Sequence, residues 1–275
     1  MAILLAGTSV AELSSFVSAS ASNTAGRIST LVVEGVNLPP GVSETVGGTL
    51  VFDVQSEIYT CFYIGPEFLV TASNTMLRMR QGNTPVFRLT VGGTVQLWNG
   101  SSYVSLTGSA GSIPTSRGRV DVYLKLNDTE GVVRIYRNRS LVYEFVGDTI
   151  LGSTSTVNTI DLFTVVASAY SCTYSAWIVA NEDTRPLEYT QLLPATTGST
   201  NEWDGNRTEA AGSVGFNDAT FVTTTVANET ITFDLANVIT AARTGYTVDC
   251  LVASARVRTD SGNVGAIRLA TKSGE

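Results

Sequence analysis

Apolar and polar residues alternate with a period of two along most of the chain. In DVYLKLNDTEGVVRIYRNRSLVYEF (121–145) and the residue before it, Val120, Val122, Leu124 and Leu126 fall on one face of a strand. Asp121, Tyr123, Lys125 and Asn127 fall on the other. The turn from Asn127 to Gly131 ends in a glycine suited to a left-handed backbone. A strand from Val132 to Arg137 follows, and a second turn, Asn138-Arg139-Ser140, leads into Leu141, Tyr143 and Phe145. The same alternation predicts strands at 49–52, 58–64, 76–80, 86–91, 94–98, 160–166 and 174–179. Gly47-Gly48, Gly92-Gly93 and Asn99-Gly100 act as turns between them. Short strands repeating every ~8–12 residues are the pattern of an all-β sandwich. Helix is scarce, with candidates only at 10–21 and at 234–242, where Asp234 would be the N-cap.

The pattern lapses over 186–213, where Pro, Gly and polar residues mix without alternation. The expected organisation is an N-terminal arm with the first strands (1–45), a β-sandwich (46–185), a connector (186–213) and a smaller β-rich module (214–275) with strands near 221–226, 230–233, 246–258 and 266–270. The arm carries apolar clusters at Ile3–Leu5 and Leu31–Val33 around the polar run SASASNTAGR, and is expected to pack on a neighbouring molecule instead of in the sandwich core. The last module is short for its kind and is expected to be either clipped or completed by a partner.

Composition narrows the chemistry. The 275 residues are 43% hydrophobic and only 15% charged, with a net charge of -7 and just two lysines, Lys125 and Lys272. Such an acidic surface repels nucleic-acid phosphate, so no nucleic-acid partner is expected. Cys61, Cys172 and Cys250 show no metal-ligand spacing and read as small buried apolar residues. The apolar run near the start is too short for a signal peptide, and no run approaches the ~18 residues of a membrane span. Folding in a cytoplasm without membrane insertion is therefore expected. Five N-x-S/T sequons, at Asn99, Asn127, Asn138, Asn206 and Asn228, are attributed to chance in a Ser/Thr-rich chain.

The chain has no histidine, which removes Ser-His-Asp and Cys-His catalysis outright. No phosphate-cradling glycine loop is present, so the expectation is no enzyme and no cofactor. Close acid pairs occur at Asp128/Glu130, Glu182/Asp183 and Glu202/Asp204. These read as solvated turn charges, with Glu202 and Asp204 kept as the pair a glycan hydrolase would use. A structural calcium ion is not excluded, since Asp161, Asn181, Glu182 and Asp183 lie on or beside loops at one end of the sandwich. Among the aromatic residues, Trp177 lies in an apolar strand and should be buried. The candidate carbohydrate or interface contacts are Trp98, Trp203, Tyr136 and Tyr143.

The segment RGRVDVYLKLNDTEGVVRIYRNRSLVYEFVGDT (117–149) resembles the two-hairpin signature of laminin-G-like, concanavalin-type jelly-roll domains. Tyr174 to Val179, followed by Asn181-Glu182-Asp183, resembles the strand and loop that end such a sandwich. The succession LLPATTGSTNEWDGNRTE, GFNDATFVTTTVANETITFDLANV and VDCLVASARVRTDSG is similar in order to bacteriophage virion proteins, in which a laminin-G-like domain precedes a second β-module. The likeness covers roughly 45–270. Ser175-Ala176 stands where such relatives often carry two aspartates, which weakens any metal site taken over by analogy. The second module of such relatives also tends to continue further. The resemblance implies a virion component made in the host cytoplasm, tail-associated or decorating the particle surface. Other virion proteins, copies of itself and a host-surface glycan would be its partners. The alternatives are a lectin-like carbohydrate-binding module and, more weakly, a glycan hydrolase.

Overall fold

The computed structural model describes residues 3–7, 15–16, 22–29, 32–38, 46–66, 75–90, 92–110, 118–152, 154–163, 172–187, 194–202, 204–205, 222–223 and 231–235. The chain divides into two compact units, Met1–Thr190 and Gln191–Glu275. Among the described residues all regular structure is strand.

The first unit is a sandwich of two antiparallel sheets. One sheet has nine strands: β1 (Ile3–Gly7), β3 (Ser22–Ser29), β4 (Val32–Leu38), β6 (Glu57–Pro66), β11 (Ser109–Ala110), β12 (Gly118–Lys125), β13 (Gly131–Arg137), β14 (Ser140–Gly147) and β16 (Cys172–Ala180). Their order is β11-β14-β13-β12-β6-β16-β4-β3. The free edge of β16 is shared, with β4 pairing Cys172–Tyr174 and β1 pairing Trp177–Ala180. The other sheet has seven: β2 (Ser15–Phe16), β5 (Val46–Gln55), β7 (Thr75–Gln81), β8 (Thr84–Thr90), β9 (Val95–Trp98), β10 (Tyr103–Ser105) and β15 (Val157–Phe163). They are ordered β10-β9-β8-β7-β15-β5-β2.

Alternation builds the core between the sheets. Ile58, Phe62, Val120, Val122, Leu124, Val133 and Ile135 come from the nine-stranded sheet, and Leu50, Leu77, Met79, Phe87, Leu89, Leu97 and Ile160 from the seven-stranded one. Opposed residues share a face, so register fixes which side chains meet: Phe62 lies opposite Val120, and Met79 opposite Ile160. Trp177 is 1% exposed, as its apolar surroundings in the sequence predict. The Tyr174 hydroxyl joins the sheets from inside, 3.1 Å from the Met76 carbonyl and 3.2 Å from that of Phe163.

Four expectations need correction. The N-terminal residues do not stand apart: β1 to β4 pair into the two sheets, and Leu4 and Leu5 pack against the core. Irregular hydrophobic spacing there hid these strands, of which β3 and β4 run for eight and seven residues. The 10–21 helix candidate contains β2. Asp234, the expected N-cap, lies in β20 (Ile231–Leu235) of the second unit, opposite Thr196. The 186–213 connector holds β17 (Pro194–Asn201), paired with β20, and β18 (Asp204–Gly205), paired with β19 (Val222–Thr223). The strands expected at 246–258 and 266–270 lie outside the described residues.

Two turns show what the sequence encodes locally. Asn138 (φ 47°) and Arg139 (φ 70°) are both left-handed, the conformation of a two-residue turn whose twist matches its strands. Gly131 is required for a different reason from the expected one. A Cβ there would come within 2.0 Å of Thr149 Oγ1 and 2.6 Å of the Gly147 carbonyl. The Thr149 hydroxyl fills that space, accepting from the Asn127 amide (2.9 Å) and donating to the Lys125 carbonyl (2.7 Å).

Candidate functional site

Each sheet has a second face, turned away from the core, and these faces carry the chemistry of the molecule. On the nine-stranded sheet, alternation alone would leave Arg119, Asp121 and Tyr123 in water. Instead Arg119 and Asp121 are both 2% exposed and Tyr123 8%. Residues 181–187, after β16, lie over Arg119 and Asp121. Arg119 Nη2 meets Asp121 Oδ1 at 2.7 Å and the Thr184 carbonyl at 2.5 Å, and Nη1 meets the Leu187 carbonyl at 2.5 Å. The Thr184 hydroxyl donates to Asp121 Oδ1 (3.1 Å). A buried ion pair thus pins the strap to the sheet, and Cys61 lies opposite Asp121 beneath it.

Beside the strap the same face carries aromatic and charged groups that satisfy one another. Tyr59 and Tyr123 stack at 4.4 Å, and the Tyr123 hydroxyl donates to Glu57 Oε1 (2.9 Å). Burial raises the Tyr123 hydroxyl well above its ordinary pKa, and the bond to Glu57 adds to this, so it stays protonated. Arg134 pairs with Glu144 at 2.6 Å, and Arg185 with Asp183 at 2.5 Å. The Arg185 guanidinium lies 4.4 Å from the Tyr136 ring centre.

The outward face of the seven-stranded sheet is organised differently. Register places Thr49, Asp161, Arg78, Arg88, Gln96 and Ser105 in one continuous row across β5, β15, β7, β8, β9 and β10. Arg80 stands in the next row. Asp161 is 1% exposed and takes Arg78 (2.7 Å from Nη2, 3.0 Å from Nε), Arg80 Nε (3.0 Å) and the Thr49 hydroxyl (3.0 Å). Arg88 donates Nε to Gln96 Oε1 (2.7 Å) and lies 4.1 Å from the Tyr103 ring centre. Gln96 passes its amide to the Ser105 hydroxyl (3.1 Å). In the next row Trp98 and Tyr103, opposite each other in register, meet edge to face at 5.1 Å, and both are half-buried. The Asn99-Gly100 turn holds this pair in place: Asn99 Oδ1 accepts from the amides of Ser101 (3.0 Å) and Ser102 (2.8 Å), and Gly100 takes φ 96°.

A pocket of about 110 Å³ opens where Trp98, Val86 and Pro85 meet the loop Thr149–Gly152. This is well below the ~300–1,000 Å³ of sites that engulf a small molecule.

Of the three aromatic candidates among the described residues, only Trp98 lies half-exposed on the outward face of the seven-stranded sheet. Tyr136 (7% exposed) lies under Arg185, and Tyr143 (4% exposed) gives its hydroxyl to the Leu106 carbonyl at 3.2 Å, so neither ring can act as a platform. Their strands alternate as expected, but the strap covers one and the other faces inward. Trp203 lies outside the described residues. Tyr103 was signalled in the sequence only by its place three residues beyond the Asn99-Gly100 turn. The calcium group does not assemble. Asp161 is on the seven-stranded sheet between two arginines, whereas Asn181, Glu182 and Asp183 follow β16 of the other sheet. Among the described residues no cluster of three acidic, histidine or cysteine side chains could hold a metal ion. Glu202 and Asp204 are both exposed.

No protein-family model matches the chain, and no curated protein matches it. Among solved structures it is similar to the endo-β-1,4-glucuronan lyase of the fungus Trichoderma reesei, with TM-score 0.51 and 10% identity over 66% of this chain and 96% of that one. It is also similar to a botulinum neurotoxin type C structure whose cell entry depends on two ganglioside molecules (TM-score 0.43, 11% identity, 66% of this chain and 48% of that one). A further likeness is to the binding domain of botulinum neurotoxin DC in complex with SialylT (TM-score 0.41, 12% identity, 65% and 49%). The last two matches span about half of those chains. The sheet order and the first of these likenesses define the class: an all-β sandwich of the jelly-roll type, followed by a smaller β-rich unit.

Proposed function

We propose that the first unit is a non-catalytic carbohydrate-binding module that uses the outward face of its seven-stranded sheet. The observation that carries this reading is the combination of Trp98 and Tyr103, paired across β9 and β10, with the planar polar side chains Gln96 and Arg88 next to them on the same sheet face. Sugars present apolar C–H faces and a rim of hydroxyls. An aromatic wall beside amide and guanidinium donors matches both, and residues on paired strands hold their positions better than residues on loops. The opposite face is less suited, because its rings stack on each other or lie beneath the strap. The glycan-hydrolase alternative has no support from Glu202 and Asp204, which are exposed and lie in the second unit.

A glycan array probed with the full chain tests this. Wild type should retain at least one glycan class, and Trp98→Ala should lower that binding at least tenfold with the fold unchanged by circular dichroism. Binding unaffected by Trp98→Ala would refute the site. The setting we propose for the module is the surface of a bacteriophage particle, supported by the order of sequence elements from 117 onward. Antibody-gold labelling of purified particles tests that setting separately.

A further inference from the structure

We propose that the ligand of this face is an acidic glycan, recognised through a sugar carboxylate by the arginine row. The inference rests on the carbohydrate-binding reading and names the ligand class. The chain carries a net charge of -7, yet Arg78, Arg80 and Arg88 gather on one face of one sheet. The acids that alternation places on that face are Asp161 and, exposed at the far end of β5, Asp53. Arg78 and Arg88 lie directly opposite each other in register, an arrangement of like charges that destabilises a sheet unless an anion lies between or beside them. Asp161 supplies one carboxylate, but two guanidiniums share it: Arg78 through Nε and Nη2, and Arg80 through Nε and, at 3.3 Å, Nη2. Among the described residues Arg78 Nη1 has no protein acceptor, and 28% of the side chain is exposed.

The arrangement also sets geometry. Asp161 fixes the plane of the Arg78 guanidinium, so the unused edge is held ready and loses little entropy on binding. A carboxylate can accept two parallel N–H bonds from such an edge, which a neutral hydroxyl cannot match. Trp98 and Tyr103 stand in the adjoining row of the same face, beside Gln96 and Ser105, where neighbouring rings of an oligosaccharide would lie. Hexuronates and sialic acids both offer the required combination of carboxylate and ring.

Titration calorimetry on the full chain with three probes decides the matter: a β-1,4-linked tetraglucuronate, 3′-sialyllactose and neutral cellotetraose. The expected result is that at least one acidic probe binds tenfold or more tightly than cellotetraose, and which acidic probe wins identifies the source of the carboxylate. That preference should weaken as salt rises from 20 to 200 mM. Arg78→Gln should remove most of the preference while Asp161 keeps Arg80 and Thr49, and Arg88→Gln serves as a second variant should the first fail to fold. Equal or tighter binding of cellotetraose would overturn the acidic specificity and leave the carbohydrate-binding reading standing. Binding of none of the three, with the array also blank, would overturn both.

Discussion

Replacing Asp121 by alanine tests whether the strap over the nine-stranded sheet is held by its buried ion pair. The Asp121 carboxylate receives three contacts from Arg119 Nε and Nη2, between 2.7 and 3.1 Å, and one from the Thr184 hydroxyl. Removing it leaves a guanidinium that is 2% exposed without its counter-charge. Uncompensated charges of this kind cost about 3–5 kcal/mol. For a unit of this size each kcal/mol shifts the melting temperature by about 2–4 °C, so calorimetry should show a fall of roughly 6–20 °C. Hydrogen exchange should localise the loss. The Leu187 amide, bonded to the Thr184 carbonyl at 2.9 Å, should exchange faster as the strap lifts to let Arg119 reach water. The double variant Arg119→Met/Asp121→Leu removes both charges and should melt well above Asp121→Ala. A fall of under ~2 °C for Asp121→Ala, or a double variant as unstable as the single one, would refute the reasoning.

Three further predictions concern the same unit. Gly131→Ala should cost at least ~1–3 kcal/mol, because its Cβ would displace the Thr149 hydroxyl from the Lys125–Asn127 turn; urea unfolding indistinguishable from wild type would contradict this. Burial raises the Cys61 thiol from 9.0 to about 12 and that of the Tyr143 hydroxyl from 10.0 to about 12. Groups whose folded pKa is raised stabilise the fold fully below their unfolded pKa and lose that contribution as pH climbs towards the folded value. Stability should therefore hold up to about pH 9 and decline between 9 and 12, and Cys61→Val should reduce the decline. By the same reasoning Cys61 should resist thiol labelling at pH 8 in the native protein, as read by peptide mass mapping. Rapid native labelling at that residue would show that it is not enclosed.

Local structure in this protein was legible in the order of its residues. A period-two alternation needs only the pleat of a strand, so Val120–Leu124, Val133–Ile135 and Leu77–Met79 announced both their strands and their inward faces. The Asn99-Gly100 turn was equally plain, because glycine admits the φ of 96° it takes there, whereas the turn after Arg137 was legible as a turn but its two-residue form, with Arg139 left-handed and Ser140 already in β14, was not. The absence of histidine removed whole classes of chemistry without any structure. What only the tertiary structure decided is which outward faces are covered and which distant residues share a row. Asp121 reads as a solvent-facing residue until Thr184 and Leu187, more than sixty positions later, close over it. The same strap turns Tyr136 from a candidate contact into a covered ring. Asp161 looked like a loop acid at the end of the sandwich, but pairing of β15 between β5 and β7 places it among arginines, where it organises a cationic face. Thr49, Asp161, Arg78, Arg88, Gln96 and Ser105 have no common spacing in the chain. Cross-strand register alone brings them together, and register is set by the whole core at once, because a shift of one residue would turn every apolar side chain outward.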